Sequence, residues 1–330
     1  MISHDGSESW PNNSYLGDSF TEATMISEYA IEVRGFTKRF GDFTAVDNIS
    51  FSVERGSIFA FLGPNGAGKS TTINTLCTIQ EKTLGDLLIH GHDVSREQDL
   101  VRKDIGIVFQ ESTLDHKLTV EENLKLHCDF YAVPPKEVRE RIQFVLELVD
   151  LLPQRNHPVG SLSGGMKRRA EIARGLVHFP KVLFLDEPTT GLDPQTRANV
   201  WEYIQRLQKD KEITIFLTTH YMEEAEICSQ VAIIDHGKIV AHDTPANLKR
   251  DYTQTTVHVG TDNFGPVREH LSQAGIVYTE TPAGFSFKAR RVSEVLALVS
   301  EFKDSIQDLE ILKGTLNDVF LAITGKEIRV

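Results

Sequence analysis

Apolar residues gather in short runs along the chain, and between the runs they recur every three or four positions. The runs Ser57–Leu62 (SIFAFL), Leu87–His90, Ile105–Phe109, Val182–Leu185, Ile213–Leu217 and Val231–Ile234 predict strands. Ala30–Val53 predicts two more, IEVRGFTKRF and AVDNISFSV, joined by a turn at Gly41-Asp42. Helical patterns alternate with these strands, Lys69–Ile79 being one, which favours an α/β sheet over an all-β fold. Between Thr119 and His178 the pattern turns helical throughout. Thr119-Val-Glu-Glu122 is a capping box, Pro134-Pro135 ends that segment, and Val138, Ile142, Val145, Leu146 and Val149 share one helical face. After Tyr252 the style changes. Thr255–Gly260 reads as a strand, Gly265–Ala274 as a helix, and Ile276–Glu280 and Gly284–Lys288 as strands flanking a Thr-Pro-Ala-Gly turn. Ser293–Lys303 then reads as a helix, Ile306–Leu312 as a strand and Leu316–Thr324 as a last helix. Strand-helix-strand-strand-helix-strand is a ferredoxin-like order.

Length and composition sharpen this picture. With 330 residues, about two domains are expected. The expected division is a first domain over residues 29–252, carrying an all-helical insert at about 115–178, and a small α+β ferredoxin-like domain over 253–330. Residues 1–28 are rich in Ser, Asn, Asp, Glu and Gly and read as a disordered extension; Met25 repeats the MIS of Met1 and is an alternative start. The net charge of −12 argues against nucleic acid as a partner, so the basic run Lys167-Arg168-Arg169 reads as a helix face. Cys77, Cys128 and Cys228 form no C-x-x-C pair and read as ordinary buried thiols of a reducing compartment. No stretch approaches the roughly 20 apolar residues that span a bilayer. The first 30 residues hold no Lys, no Arg and no apolar core, so no secretory signal is visible.

The candidate chemistry begins where SIFAFL ends. Gly63-Pro64-Asn65-Gly66-Ala67-Gly68-Lys69-Ser70-Thr71 contains G-x-x-x-x-G-K-[ST] between a strand and a helix, the context a phosphate-cradling loop requires. Glycines let several backbone N–H groups converge on one anion, and the following helix aims its positive end at the same place. Lys69 supplies a point charge for the β- and γ-phosphates, and the Ser70 hydroxyl a ligand for Mg²⁺. The strand VLFLD ends in two carboxylates: Asp186, placed to hold Mg²⁺ through water, and Glu187, placed to orient or deprotonate an attacking water. Leu162-Ser163-Gly164-Gly165-Met166 offers a second helix start with bare N–H groups, and hence a second anion site. One triphosphate needs one such cradle, so the second is expected to serve a nucleotide held by another copy of the chain.

GPNGAGKST, LSGGM, VLFLDEPTTGLD and His220, in this order over about Ala30–Leu248, resemble the ATPase domain of ABC proteins. The resemblance implies a P-loop NTPase core with an ABC helical subdomain, using ATP and Mg²⁺. It also implies a homodimer in which Ser163, Gly164 and Gly165 of one subunit face the γ-phosphate held by Lys69 of the other. On matching positions, Phe40 would stack on adenine, Gln110 would reach Mg²⁺ and the attacking water, Asp193 would couple the two sites, and His220 would contact the γ-phosphate. Met166 departs from the commoner Gln of that signature. Met followed by Lys-Arg-Arg, with the ending GTLNDVFLAITGKE, resembles the daunorubicin-resistance-type ATPases of ABC type 2 exporters. Such a subunit would sit at the cytoplasmic face of the cell membrane beneath a separate integral membrane permease, exporting drug, natural-product or lipid-like cargo. The tail would brace the dimer or regulate it. The alternatives are a soluble ABC ATPase acting on ribosomes or DNA, against which stand the single module and the lack of coiled coils or zinc cysteines, and a non-hydrolytic ABC module, against which stand Glu187 and His220.

Overall fold

The computed structural model describes residues 28–290 and 292–325. The expected disordered extension therefore lies, but for Glu28, outside the described residues, and Met25 with it. The chain divides into two compact units. One holds the chain through His220 together with Cys228–Ile239; the other holds Tyr221–Ile227 together with Val240 onward.

The first unit opens with β1 (Tyr29–Phe40) and β2 (Phe43–Glu54), paired antiparallel about the expected turn at Gly41-Asp42. β3 (Ile58–Leu62) leads into α1 (Lys69–Leu76); β4 (Leu84–Ile89), β5 (His92–Asp93) and α2 (Gln98–Asp104) follow, then β6 (Ile105–Val108). The helical insert contributes α3 (Val120–Phe130), α4 (Pro135–Leu148) and α5 (Gly164–Leu176). β7 (Val182–Asp186), α6 (Pro194–Lys211), β8 (Thr214–Thr219), α7 (Met222–Ala225) and β9 (Gln230–Asp235) come next in the chain, α7 belonging to the second unit.

Two sheets result where the apolar runs alone suggested one. β2-β1-β4-β5 is antiparallel, and β9-β3-β8-β7-β6 is parallel. Every residue of β3, β7 and β8 is buried, as a parallel strand covered on both faces should be. Five phenylalanines knit the two sheets: the Phe216 ring lies 5.3–6.0 Å from those of Phe51, Phe59, Phe61 and Phe184, the offset and tilted spacing that aromatic quadrupoles favour. One core cluster includes Ile31, Val33 and Phe36 of β1 and Ile73 and Leu76 of α1.

In the insert, the capping box at Thr119 forms as expected: Glu122 N–H donates to Thr119 Oγ1, and Thr119 N–H to Glu122 Oε2. Pro134-Pro135 opens a helix rather than closing one. Pro134 is the cap of α4 and Pro135 its first residue, where a missing N–H costs nothing; α3 has already ended at Phe130. His178, just past α5, is buried with its Nε2 2.8 Å from the Ile105 carbonyl oxygen and its ring stacked 3.8 Å from that of Tyr131. Burial holds its pKa down to about 4.

The second unit carries β10 (Lys238–Asp243) across the division, then α8 (Pro245–Tyr252), β11 (Thr255–Gly260), α9 (Phe264–Gln273), β12 (Tyr278–Thr281), β13 (Gly284–Ala289), α10 (Val292–Ser300), β14 (Asp308–Leu312) and α11 (Leu316–Thr324). The sheet order β12-β13-β11-β14, with β11 antiparallel to both neighbours, is the split βαβ arrangement expected from the tail. Val257, Val259, Val267, Leu271, Phe285 and Phe287 fill its core. Among the described residues no helix is long and apolar enough to cross a membrane, and the three cysteines are free and buried.

Candidate active site

The C-terminal ends of β3, β7 and β8 bring together the loop before α1, the carboxylates Asp186 and Glu187, and His220. The loop is built around two close approaches. A Cβ on Gly63 would lie 2.3 Å from the Ile234 carbonyl oxygen, and one on Gly68 2.8 Å from that of Ala45. Gly68 also holds φ at +107°, in the region glycine alone adopts freely. The Gly237 turn after β9 closes the loop from behind: Gly237 N–H donates to Ala67 O at 3.0 Å, and Asp47 N–H to Gly237 O at 2.8 Å.

Lys69 is 4% exposed. Its Nζ donates to the carbonyls of Gly63 (2.8 Å) and Pro64 (3.2 Å) and lies 3.3 Å from Glu187 Oε1. Burial lowers its pKa, and the Glu187 and Asp186 carboxylates oppose that shift. Glu187 is the hub. Its Oε2 accepts from Gln110 Nε2 (3.1 Å) and Thr190 Oγ1 (3.3 Å) and lies 3.4 Å from His220 Nδ1. Its backbone sits at φ +46° although Pro188 follows. A non-glycine residue in that region stores about 1–3 kcal/mol of strain and persists only where its surroundings over-determine it. Here Glu187 N–H is held by Thr218 Oγ1 (3.0 Å) and O (3.2 Å). Asp186 accepts from Thr218 Oγ1 at 2.5 Å and Ser70 Oγ at 3.4 Å.

The donors around Asp186 suit a Mg²⁺ that arrives with a triphosphate. The Ser70 hydroxyl and one carboxylate are too few for an all-protein cage, and Mg²⁺ characteristically takes one or two protein groups plus phosphate oxygens and water. No group of three or more His, Cys, Asp or Glu placed to hold a metal occurs among the described residues.

A second cluster forms at the start of α5. Ser163 Oγ accepts from Met166 N–H at 3.3 Å, capping the helix. Asp193 caps α6, accepting from Thr196 N–H (3.0 Å) and Thr196 Oγ1 (2.6 Å). Thr196 in turn presses on Gly165, where an added Cβ would stand 2.4 Å from Thr196 Cγ2. A small cleft of about 70 Å³ lies between Ser163, Gly165, Met166, Arg169 and Thr196. Phe40, at the end of β1, is 47% exposed, with Lys38 Nζ 4.8 Å from its ring centroid.

Residues 46–190 match the family model described as ABC transporter. The Nod factor export ATP-binding protein I of Ralstonia nicotianae is 37% identical over 313 residues, spanning 91% of this chain and 95% of that protein. This chain belongs to the ABC transporter family. It is an ATP-binding and ATP-hydrolysing ABC subunit. The daunorubicin resistance ATP-binding protein DrrA3 of Streptomyces coeruleorubidus is 34% identical over 320 residues, spanning 92% of this chain and 99% of the other. Among solved structures, a dimeric ATP-binding cassette in a post-hydrolysis state with ADP and phosphate is 27% identical at a TM-score of 0.59, over 65% of this ABC subunit and 98% of that chain.

Two features of the ABC site escape a reading by motif. Arg168, read as part of a helix face, is 7% exposed and reaches the backbone of the Glu187 segment. Counting back from Leu176 and Ile172 by fours lands on Arg168, so the helical period carried the signal. Thr218 holds both Asp186 and Glu187 from within a strand, and nothing in TIFLTT distinguishes it from a core threonine.

Proposed function

We propose that this ABC subunit is the motor of an exporter resembling the daunorubicin-resistance type, working as a homodimer at the cytoplasmic face of the cell membrane under a separate integral membrane permease. The observation that carries this reading is the convergence of Lys69, Gln110, Thr190 and His220 on one carboxylate, Glu187. The loop Gly63–Thr71 cradles the phosphates, with Pro64, Asn65, Gly66, Ala67 and Gly68 supplying backbone, and the exposed Phe40 ring stacks on adenine. Ser70, Gln110 and Asp186 would hold a Mg²⁺ that arrives with ATP, and the ion would supply positive charge against the phosphates. Ser163, Gly164 and Gly165 of one subunit complete the pocket of the other, and Asp193 couples the two.

Glu187 accepts a proton from water as its oxygen attacks the γ-phosphorus; the bond from that phosphorus to the β–γ bridging oxygen breaks, and ADP leaves with the bonding electron pair. His220 steadies the transferring phosphoryl oxygens. The names of the similar proteins, one exporting Nod factor and one conferring daunorubicin resistance, support a drug, natural-product or lipid-like cargo. The module after Tyr252 braces the dimer or regulates it. The test is Glu187→Gln sized with ATP and Mg²⁺. Binding survives while water activation fails, so a closed dimer should accumulate and turnover should fall at least a hundredfold. A monomer under saturating nucleotide refutes the shared-pocket reading.

A further inference from the structure

We propose that Arg168 is a positioning residue for hydrolysis: from the second turn of the LSGGM helix it fixes the backbone that carries Glu187 and Gln110. The proposal rests on the reading of Glu187 as the group that activates water.

Arg168 makes an unusual set of contacts for a basic side chain. Its Nε donates to the Pro188 carbonyl at 2.6 Å, its Nη1 to that of Phe109 at 2.6 Å, and its Nη2 to those of Asp186 (3.3 Å) and Glu187 (3.4 Å). The same Nη1 donates to Glu171 Oε2 at 2.7 Å, and both side chains are buried. Phe109 is the residue before Gln110, and Asp186 and Pro188 flank Glu187. One guanidinium therefore ties the two backbones whose side chains meet in the Gln110–Glu187 hydrogen bond. A planar fork of five N–H groups can serve several carbonyls on different segments at once; a lysine ammonium is a point donor on a flexible stem and cannot.

The segment so held is the strained one. Glu187 keeps a left-handed backbone immediately before a proline, a conformation doubly disfavoured. Thr218 restrains its N–H side, and Arg168 restrains its carbonyl side. Releasing the second restraint lets the peptide rotate and carries the carboxylate off its line, since errors of about 1 Å in a reacting group cost on the order of a hundredfold in rate. Because Arg168 rides on α5, whose first residues include Gly164 and Gly165, the helix start that would face a partner's nucleotide and the carboxylate that acts on its own move as one piece.

The test removes the fork without stranding a buried charge. Arg168→Met alone would leave Glu171 unpaired, so Arg168→Met is combined with Glu171→Met. Steady-state hydrolysis should show kcat down at least tenfold with KM for ATP within threefold. In single-turnover measurements on the Glu187→Gln background, the same pair should add less than a twofold further loss, because nothing is left to orient. Arg168→Lys should fall between wild type and the pair, and it carries the kcat-against-KM test alone if the pair does not fold. An unchanged kcat, an equal loss in both backgrounds, or a rise in KM as large as the fall in kcat would overturn the proposal. Full turnover by Glu187→Gln itself would instead sink the reading of Glu187, independently of Arg168.

Discussion

Gly165 has room for a hydrogen and for nothing larger. Gly165→Ala puts a carbon 2.4 Å from Thr196 Cγ2, where carbon atoms ordinarily rest about 3.5–4.0 Å apart. The overlap exceeds about 1 Å. Thr196 cannot swing aside, since its Oγ1 is bonded to Asp193 Oδ2 at 2.6 Å and a β-branched side chain is stiff within a helix. Alanine's better helix propensity returns at most about 1 kcal/mol, whereas overpacking costs about 1–3 kcal/mol. The strain is relieved by moving the start of α5 by about 1 Å, a shift of the size that costs on the order of a hundredfold in turnover. Thr196→Ser removes the offending methyl and keeps the hydroxyl on Asp193; the remaining neighbours of the new Cβ, Thr196 Oγ1 and Cβ, stand at 3.4 and 3.5 Å, ordinary contact distances. Gly165→Ala should therefore lose about a hundredfold in phosphate release at saturating Mg²⁺ and ATP, with equilibrium nucleotide loading intact. Gly165→Ala/Thr196→Ser should recover to within a few-fold of wild type. Full activity in the single variant, or no recovery in the double, refutes the reasoning; the second outcome would mean the Cβ acts on a phosphate and not on Thr196.

Lys69→Met leaves Glu187 buried without its cation and should lower the stability of the nucleotide-free protein by about 3–5 kcal/mol, read by urea unfolding. Lys69→Met/Glu187→Gln should regain most of that loss, and a single variant as stable as wild type would contradict the ion pair's role. The depressed pKa of His178, about 4 against an ordinary 6.5, keeps the ring neutral in the fold. The unfolded chain binds the extra proton first, so this group's contribution is present above about pH 6.5 and is lost as pH falls toward 4, about 3 kcal/mol in all. His178→Gln should make that part of the pH–stability curve shallower, with His90 and His127, also held down by burial, still contributing; an unchanged slope would show that the ring accepts its proton while folded.

Much of the site was legible because its parts are local. A phosphate loop, a carboxylate-tipped strand and a capped glycine pair each declare themselves over a few residues, and Lys69, Gln110, Glu187 and His220 do meet at one set of strand ends. What local pattern could not convey is partnership. β1 and β2 alternate apolar and polar residues where β3 is apolar throughout and β7 up to Asp186, but that β4 joins β1 in a second sheet follows from pairing over long sequence distances. The left-handed Glu187 could not be anticipated, because a residue before proline is expected to be extended. Arg168 was hidden by its charge. A guanidinium on the buried face is stable only because backbone carbonyls and Glu171 surround it, and those lie 3 to 59 residues away. The ferredoxin-like tail, by contrast, is made of consecutive short elements, and its order was readable along the chain.

The strands that flank β3 come late. β8 begins at Thr214 and β9 at Gln230, and the turn that backs the phosphate loop is made by Gly237. A chain emerging from the ribosome therefore carries its glycine-rich loop long before it has a wall to lean on. Only when synthesis has passed residue 237 can the central strand be sandwiched and the loop take its shape. Nucleotide capture thus becomes a late event in the life of the nascent protein, one that reports a finished first unit.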